Sequence, residues 1–388
     1  GNVSITAGQI DNGSNDACGI ASLSVAPSGF NCANVGANTV TLTVTDNNGN
    51  TSTTTATVTV EDSVPPVVLT QNMTVQLDAN GNASILVDGS GVNNGSSDNC
   101  GIASTSVIPN TFGCSDIGAN IVTLTVTDVN GNVNSGSAVV IVVDAVVPIA
   151  VAQNITVQLD ATGNVSITTG DVDAGSSDNC GINSLILSQT DFNCDNVGEN
   201  TVTLTVTDVN GNVSTATAIV TVEDNVAPVA SAQDITVELG EDGDVTITAG
   251  QVDNGSSDAC GIESLSITPE TFDCSHVGDN TVTLTVTDVN GNVSTTTTVV
   301  TVENNLVPDV LTQMLTIQLD EDGNAMILAD GSEIDAGSSD TCGIDFMAVE
   351  PTAFTCSNIG DNTVTLTVTN VNGNSSSAPA TVTVEDSI

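Results

Sequence analysis

The chain has 388 residues, with 47 Asp or Glu, one His and no Lys or Arg, a formal charge of −47 at pH 7. Nucleic acid, anionic membrane surfaces and phosphate-bearing substrates all demand cationic groups, so the composition excludes them as partners. Such a charge would push a compact chain apart unless it were neutralised, and the counter-charge is expected from outside, as metal ions.

High charge of one sign often marks disorder, yet 39% of residues are apolar and most alternate with Thr or Ser, as half-buried strands do. The chain is read as a folded β protein. No signal peptide, lipidation box or run of about 18 apolar residues is visible, so direct membrane insertion is not expected. The chain starts at Gly1 and reads as a piece of something longer.

A period sets architecture before any local pattern does. Cys18, Cys100, Cys180, Cys260 and Cys342 are spaced 82, 80, 80 and 82 apart, and each is followed 14 positions later by Cys32, Cys114, Cys194, Cys274 or Cys356. Five repeats result, at 1–62, 63–144, 145–224, 225–304 and 305–388. Gly1 aligns with Gly81, so the first repeat lacks its opening strand, and Glu385-Asp386-Ser387-Ile388 aligns with Glu61-Asp62-Ser63-Val64 at the start of a further unit. A neighbouring chain donating the missing strand is an alternative.

In the third repeat, VAQNITVQL is the predicted first strand, DATGN a turn and VSITTGDV the second strand. The polar loop DAGSSDNCG leads to a third strand, INSLILS, and the crossing segment TDFNCDNVGEN carries the second Cys. TVTLTVTD and VSTATAIVTVED then form a hairpin around VNGN, since Asn-Gly between alternating runs is a strong turn signal. In the second and fifth repeats ILVDGSGV and ILADGSEI replace the shorter SITTGDV. No stretch has helical periodicity. The predicted fold is all-β, a tandem array of five immunoglobulin-like β-sandwich domains in an elongated rod, with six or seven strands each.

Val202, Leu204 and Val206 point to one face of their strand and the intervening threonines to the other. With no Trp or Tyr and six Phe in the chain, each core is thin and aliphatic, and such a small domain benefits from a staple. The two cysteines of each repeat are expected to pair with one another, as Cys180 with Cys194, for roughly 3 kcal/mol per loop. Repeated pairs imply an oxidising setting, extracellular or at the cell surface. Two Cys without His or a second CxxC make half a zinc site.

Acids gather at three places that chain direction brings together: the linker, the loop before the first Cys, and the turn after TVTLTVT. The proposed ligand sets are Glu61, Asp62, Asp98, Asp128 and Asn130; Asp144, Asp178, Asp208 and Asn210; and Glu223, Asp224, Asp258, Asp288 and Asn290. An oxygen-only set without Lys or Arg suits calcium between domains. At the fourth junction Asn304 and Asn370 replace two acids, leaving Glu303, Asp340 and Asn372 and a lower expected affinity. Asp and Asn are also ordinary turn residues, and VNGN by itself needs no metal.

His276 is the only imidazole and sits in a loop. Without a second His, Lys or Arg, no hydrolase triad, Schiff base or phosphoryl clamp can be assembled, and no enzyme is expected. Asp62-Ser63-Val64 and Asp386-Ser387-Ile388 look like the Asp-Ser/Thr-aliphatic sites at which Bacteroidota glycosylate secreted proteins, which makes Ser63 and Ser387 glycosylation candidates.

Units of the form P-V-x-x-x-Q-x-x-T-V-Q-L-D, G-S-S-D-x-C-G-I and F-x-C-x-x-V-G-x-N-T-V-T-L-T-V-T-D-x-N-G-N cover the whole chain and resemble hyalin-repeat-type immunoglobulin-like domains. The resemblance implies tandem domains of very large surface and secreted proteins of Flavobacteria and related Bacteroidota, with adhesive or gliding roles. The expected function is a structural extracellular array, a calcium-rigidified stalk or filament of a surface adhesin or fibre. Its expected partners are further repeats or neighbouring copies, and glycans. Rival readings are an array of glycan- or protein-binding modules and the non-catalytic spacer of a large secreted enzyme.

Overall fold

The computed structural model describes residues 1–386, so Ser387 lies outside the described residues. The chain forms two compact units, one of residues 1–155, 168–189 and 201–219, the other of 156–167, 190–200 and the residues from 220 on. Five β-sandwich-like repeats are present, and the third contributes to both units.

The second repeat shows the plan. A long antiparallel hairpin, Gly118–Asp128 with Val133–Val143, is its spine. Ile102–Ile108 pairs antiparallel along one side and Met73–Gln76 pairs parallel along the other, giving a four-stranded sheet. Asn82–Ser84 and Thr111–Gly113 form a second, two-stranded sheet. The alternating Val and Leu of the spine meet Leu77, Val92 and Phe112 in one core, where Val122, Leu124 and Val126 are fully buried. Truncating a buried leucine such as Leu124 to Ala in a core this thin would cost about 2–5 kcal/mol. The fourth and fifth repeats follow the same six-strand plan. In the first repeat the main sheet has three strands, and Val44 is only half-buried where Val126 is fully buried.

Two elements differ from the sequence reading. VSITTGDV is not one strand: Asn164–Ser166 is extended, and Thr169–Val172 is a single helical turn. The Asp171 carboxylate accepts the Thr168 backbone N–H and hydroxyl, both at 2.7 Å, which starts the turn and swings Val172 into the core. Gln9 and Gln251 do the same for Thr6 and Thr248. In the second and fifth repeats the two-residue insertion replaces this helix with a different turn, and Val92 and Ile334 still reach the core.

The second difference concerns the cysteines. None pairs within its repeat; the disulfides are Cys32–Cys100, Cys114–Cys180, Cys194–Cys260 and Cys274–Cys342, each joining one repeat to the next, with Cα separations of 5.1 to 5.4 Å. Strand length explains it. Cys100 precedes the seven-residue strand Ile102–Ile108 and Cys114 follows it, so roughly 20 Å of extended chain separates them, far beyond the ~7 Å that a disulfide spans. The 14-residue spacing measures the domain from end to end. Cys18 and Cys356 carry free, exposed thiols.

Three of the four inter-repeat disulfides pack on a turn glycine, Gly81, Gly163 or Gly243, and Cys32–Cys100 packs on Gly1. Gly81 has φ +75°, and a Cβ placed there would lie 2.8 Å from Cys114 Sγ and 3.1 Å from the Asn179 carbonyl oxygen. Only glycine allows the DANGN turn to close against the next repeat.

Candidate metal centres

The site starts from the turn that ends each long strand. In DVNGN, Asp128 is buried, and its Oδ1 accepts the Asn130 and Asn132 backbone N–H groups at 2.8 Å each. Its Oδ2 accepts the Asn132 side-chain amide at 2.7 Å. Asp208 and Asp288 repeat this arrangement with Asn210, Asn212, Asn290 and Asn292. Burial pushes the Asp128 and Asp208 carboxyls up, but the bonds from Asn132 and Asn212, with those from the other turn residues, outweigh it and leave both below the ordinary carboxylate range.

The same asparagine amides reach the incoming linker. Asn132, Asn212 and Asn292 donate to the carbonyls of Asp62, Asp144 and Asp224 at 3.0, 3.3 and 3.0 Å. Each turn thus clasps the linker arriving from the preceding repeat. These asparagines were absent from the ligand sets proposed from sequence; their recurrence as the last letter of VNGN was the available signal.

The clasp sets the linker aspartates in place. Oδ1 of Asp62, Asp144 and Asp224 accepts the N–H of Val64, Val146 and Val226 at 3.2, 3.1 and 3.0 Å. Oδ2 of all three is buried and has no hydrogen-bond partner among the described residues. From the other side comes the loop acid. Asp98 Oδ1 accepts the Cys100 and Gly101 N–H groups at 2.7 and 3.2 Å, and Asp178 and Asp258 bond the Cys180 and Cys260 N–H groups in the same way. At the second junction Asp178 Oδ1 and Asn179 Oδ1 are also buried without a partner, and at the first so is Asn130 Oδ1.

These oxygens converge. Ligand atoms of Asp62 and Asp98, of Asp144, Asp178 and Asp208, and of Asp224 and Asp258 lie within 4.8 Å of one another. The adjoining Cys100 and Cys260 sulfurs are held in disulfides and offer no thiolate. A buried polar atom left unpaired costs roughly 1–3 kcal/mol, and a charged one more. With no Lys or Arg in the chain, a hard cation is the ligand that matches an all-oxygen donor set.

The remaining sequence candidates fall outside these groups. Glu61, Glu223 and Glu303 are exposed, and Glu223 accepts the Gln158 amide at 2.6 Å. Asn210 and Asn290 are exposed where Asn130 is half-buried. Asp128 and Asp288 hold their turns, whereas Asp208 also joins its convergent group. At the fourth junction Asp340 Oδ1 accepts the Cys342 N–H at 2.9 Å and its Oδ2 accepts the Asn370 amide at 3.1 Å, while the Asn304 amide donates to Asn372 Oδ1. Ser63 is exposed. His276 lies on an exposed turn, its Nδ1 2.7 Å from Asp273 Oδ1.

Acid should unfold the chain only at low pH. Asp46, Asp128, Asp160 and Asp208 all sit below their ordinary value because they accept hydrogen bonds in the fold. A lowered carboxyl contributes stability that is complete above the unfolded value of about 3.9 and is lost as pH falls through the folded value. In an acid titration followed by circular dichroism the expected midpoint lies below about pH 4; unfolding near pH 5 would contradict this account.

No family model and no curated protein sequence matches the chain. Among solved structures it is similar to protocadherin gamma B2 extracellular cadherin domains 1–5, at 12% identity and a TM-score of 0.28, covering 91% of this chain and 86% of that one. It is also similar to Sidekick-1 immunoglobulin domains 1–5, at 11% identity and a TM-score of 0.27, covering 93% and 88%. A third similarity is to the human desmocollin-1 ectodomain, at 11% identity and a TM-score of 0.23, covering 90% and 85%. At these values no family is assigned.

Proposed function

We propose that this chain is a structural extracellular array, the stalk or filament of a surface adhesin or extracellular fibre, whose successive repeats are joined by a disulfide and clamped by calcium at the first three junctions. The observation that carries the metal is the set of buried, donorless oxygens, Asp62 Oδ2, Asn130 Oδ1, Asp144 Oδ2, Asp178 Oδ1, Asn179 Oδ1 and Asp224 Oδ2, in a chain without cationic side chains. When bound, calcium would supply positive charge to these groups, held by Asp62 and Asp98, by Asp144, Asp178 and Asp208, and by Asp224 and Asp258. Calcium suits the sites better than magnesium because it accepts irregular sets of carboxylate and carbonyl oxygens. The four disulfides support an oxidising, extracellular setting for the array. The resemblance to hyalin-type repeats of surface proteins fits the same reading.

Calorimetric titration of the oxidised chain with calcium chloride tests the proposal. Saturable binding is expected, and the combined variant Asp98→Ala, Asp178→Ala, Asp258→Ala should lose it while keeping its β circular dichroism. Equal heats from both proteins would sink the assignment.

A further inference from the structure

The fourth junction uses the same positions as the other three and closes by a different chemistry. Asn304 stands where Asp62, Asp144 and Asp224 stand, and Asn370 where Asp128, Asp208 and Asp288 stand. Asn304 Oδ1 keeps the capping bond, accepting the Leu306 N–H at 3.0 Å. Its Nδ2 does what no carboxylate can and donates to Asn372 Oδ1 at 2.8 Å. At the first junction the corresponding atoms, Asp62 Oδ2 and Asn130 Oδ1, are two acceptors, both buried and both without a donor.

Asn370 completes the exchange. Its Nδ2 donates to the Leu306 carbonyl at 3.0 Å and to Asp340 Oδ2 at 3.1 Å, so the one aspartate remaining at this junction also has a donor. The clasp itself is retained, with Asn374 Nδ2 2.7 Å from the Asn304 carbonyl oxygen. Among the described residues, none of the buried donorless oxygens falls at this junction.

We propose that the fourth junction is a cation-independent joint, in which the side-chain amides of Asn304 and Asn370 do the work that calcium does at the first three. The proposal rests on the calcium reading of those three. Two N–H dipoles lie at the join between the repeats, and a divalent cation entering it would face their positive ends and a single aspartate, Asp340, against Asp62 and Asp98 at the first junction. Asn304 and Asn370 therefore determine which kind of joint forms. When calcium falls, three joints loosen and the fourth holds.

Native mass spectrometry of the oxidised chain in calcium acetate, with hydrogen exchange before and after addition of EGTA, tests this. Three bound calcium ions are expected for the chain, and four for N304D/N370D. After EGTA the amides of Val64, Val146 and Val226 should lose protection while Leu306 keeps its own, a measurement that needs no variant to fold. Four ions on the unmodified chain, or Leu306 deprotected together with the other three, would overturn the amide joint. No bound ion at all, with protection indifferent to EGTA everywhere, would instead overturn the calcium reading beneath it.

Discussion

Calcium added to the metal-stripped chain is expected to raise its unfolding free energy by about 2.7 kcal/mol per site at a hundredfold excess over Kd, or roughly 8 kcal/mol over three sites. The gain follows from where the unpaired oxygens lie. Asp62, Asp144 and Asp224 each spend one carboxylate oxygen on the linker backbone and hold the other buried without a donor, so the fold carries a cost that a bound cation removes. Differential scanning calorimetry should show the melting transition rising with calcium and returning with EGTA. Magnesium, which insists on near-octahedral geometry and keeps its water, should give a smaller shift. Sodium chloride at matched ionic strength separates site binding from screening. Screening relieves the mutual repulsion of the exposed acids but does not reach a buried oxygen. If sodium chloride reproduces the whole shift, the counter-charge acts diffusely and no specific site is needed.

Replacing Cys114 and Cys180 together by serine should cost about 4 kcal/mol, because their bond closes a loop with a sequence separation of 66. For domains of this size that corresponds to a fall of the order of 20 °C in the transition of the second and third repeats. The same double variant should weaken calcium binding at the second junction by about tenfold, the usual penalty for disturbing groups that orient a ligand. Asp178 lies two residues before Cys180 and accepts its N–H at 2.7 Å, so the disulfide anchors the loop that aims this carboxylate. An unchanged transition would show that the repeats are held together without the bond. Unchanged calcium affinity with a lowered transition would show that the bond and the metal act independently.

Much of the fold was legible in the sequence because it depends on short-range pattern. The alternation in TVTLTVT decides which side chains enter the core, and the Asn-Gly pair decides where the hairpin turns. The strand VSITTGDV was misread because its ending depends on a side chain: Asp171 or Gln251 captures the preceding Thr and winds one helical turn, a local competition that alternation does not register. The cysteine pairing was misread for a different reason. A count of two per repeat suggested closure within the repeat, whereas the strand between the two cysteines separates them by a domain length.

The candidate site divides along the same line. The recurrence of Asp62, Asp98 and Asp128, without any Lys or Arg to answer them, was enough to call for an external cation between repeats. Composition and period raise that expectation by themselves, since charge balance and repetition need no coordinates. Only the tertiary structure decided which oxygens converge, because a carboxylate's availability depends on what its other oxygen already accepts. It turned Glu61, Glu223 and Glu303 outward, gave Asp128 and Asp288 to their turns, and left Asp62, Asp144 and Asp224 each with a buried oxygen to fill. At the fourth junction a single change of atom, from carboxylate oxygen to amide nitrogen at Asn304, puts a hydrogen-bonded donor where the other three hold a buried acceptor without one, a choice that depends on what lies across the join and so only on the fold.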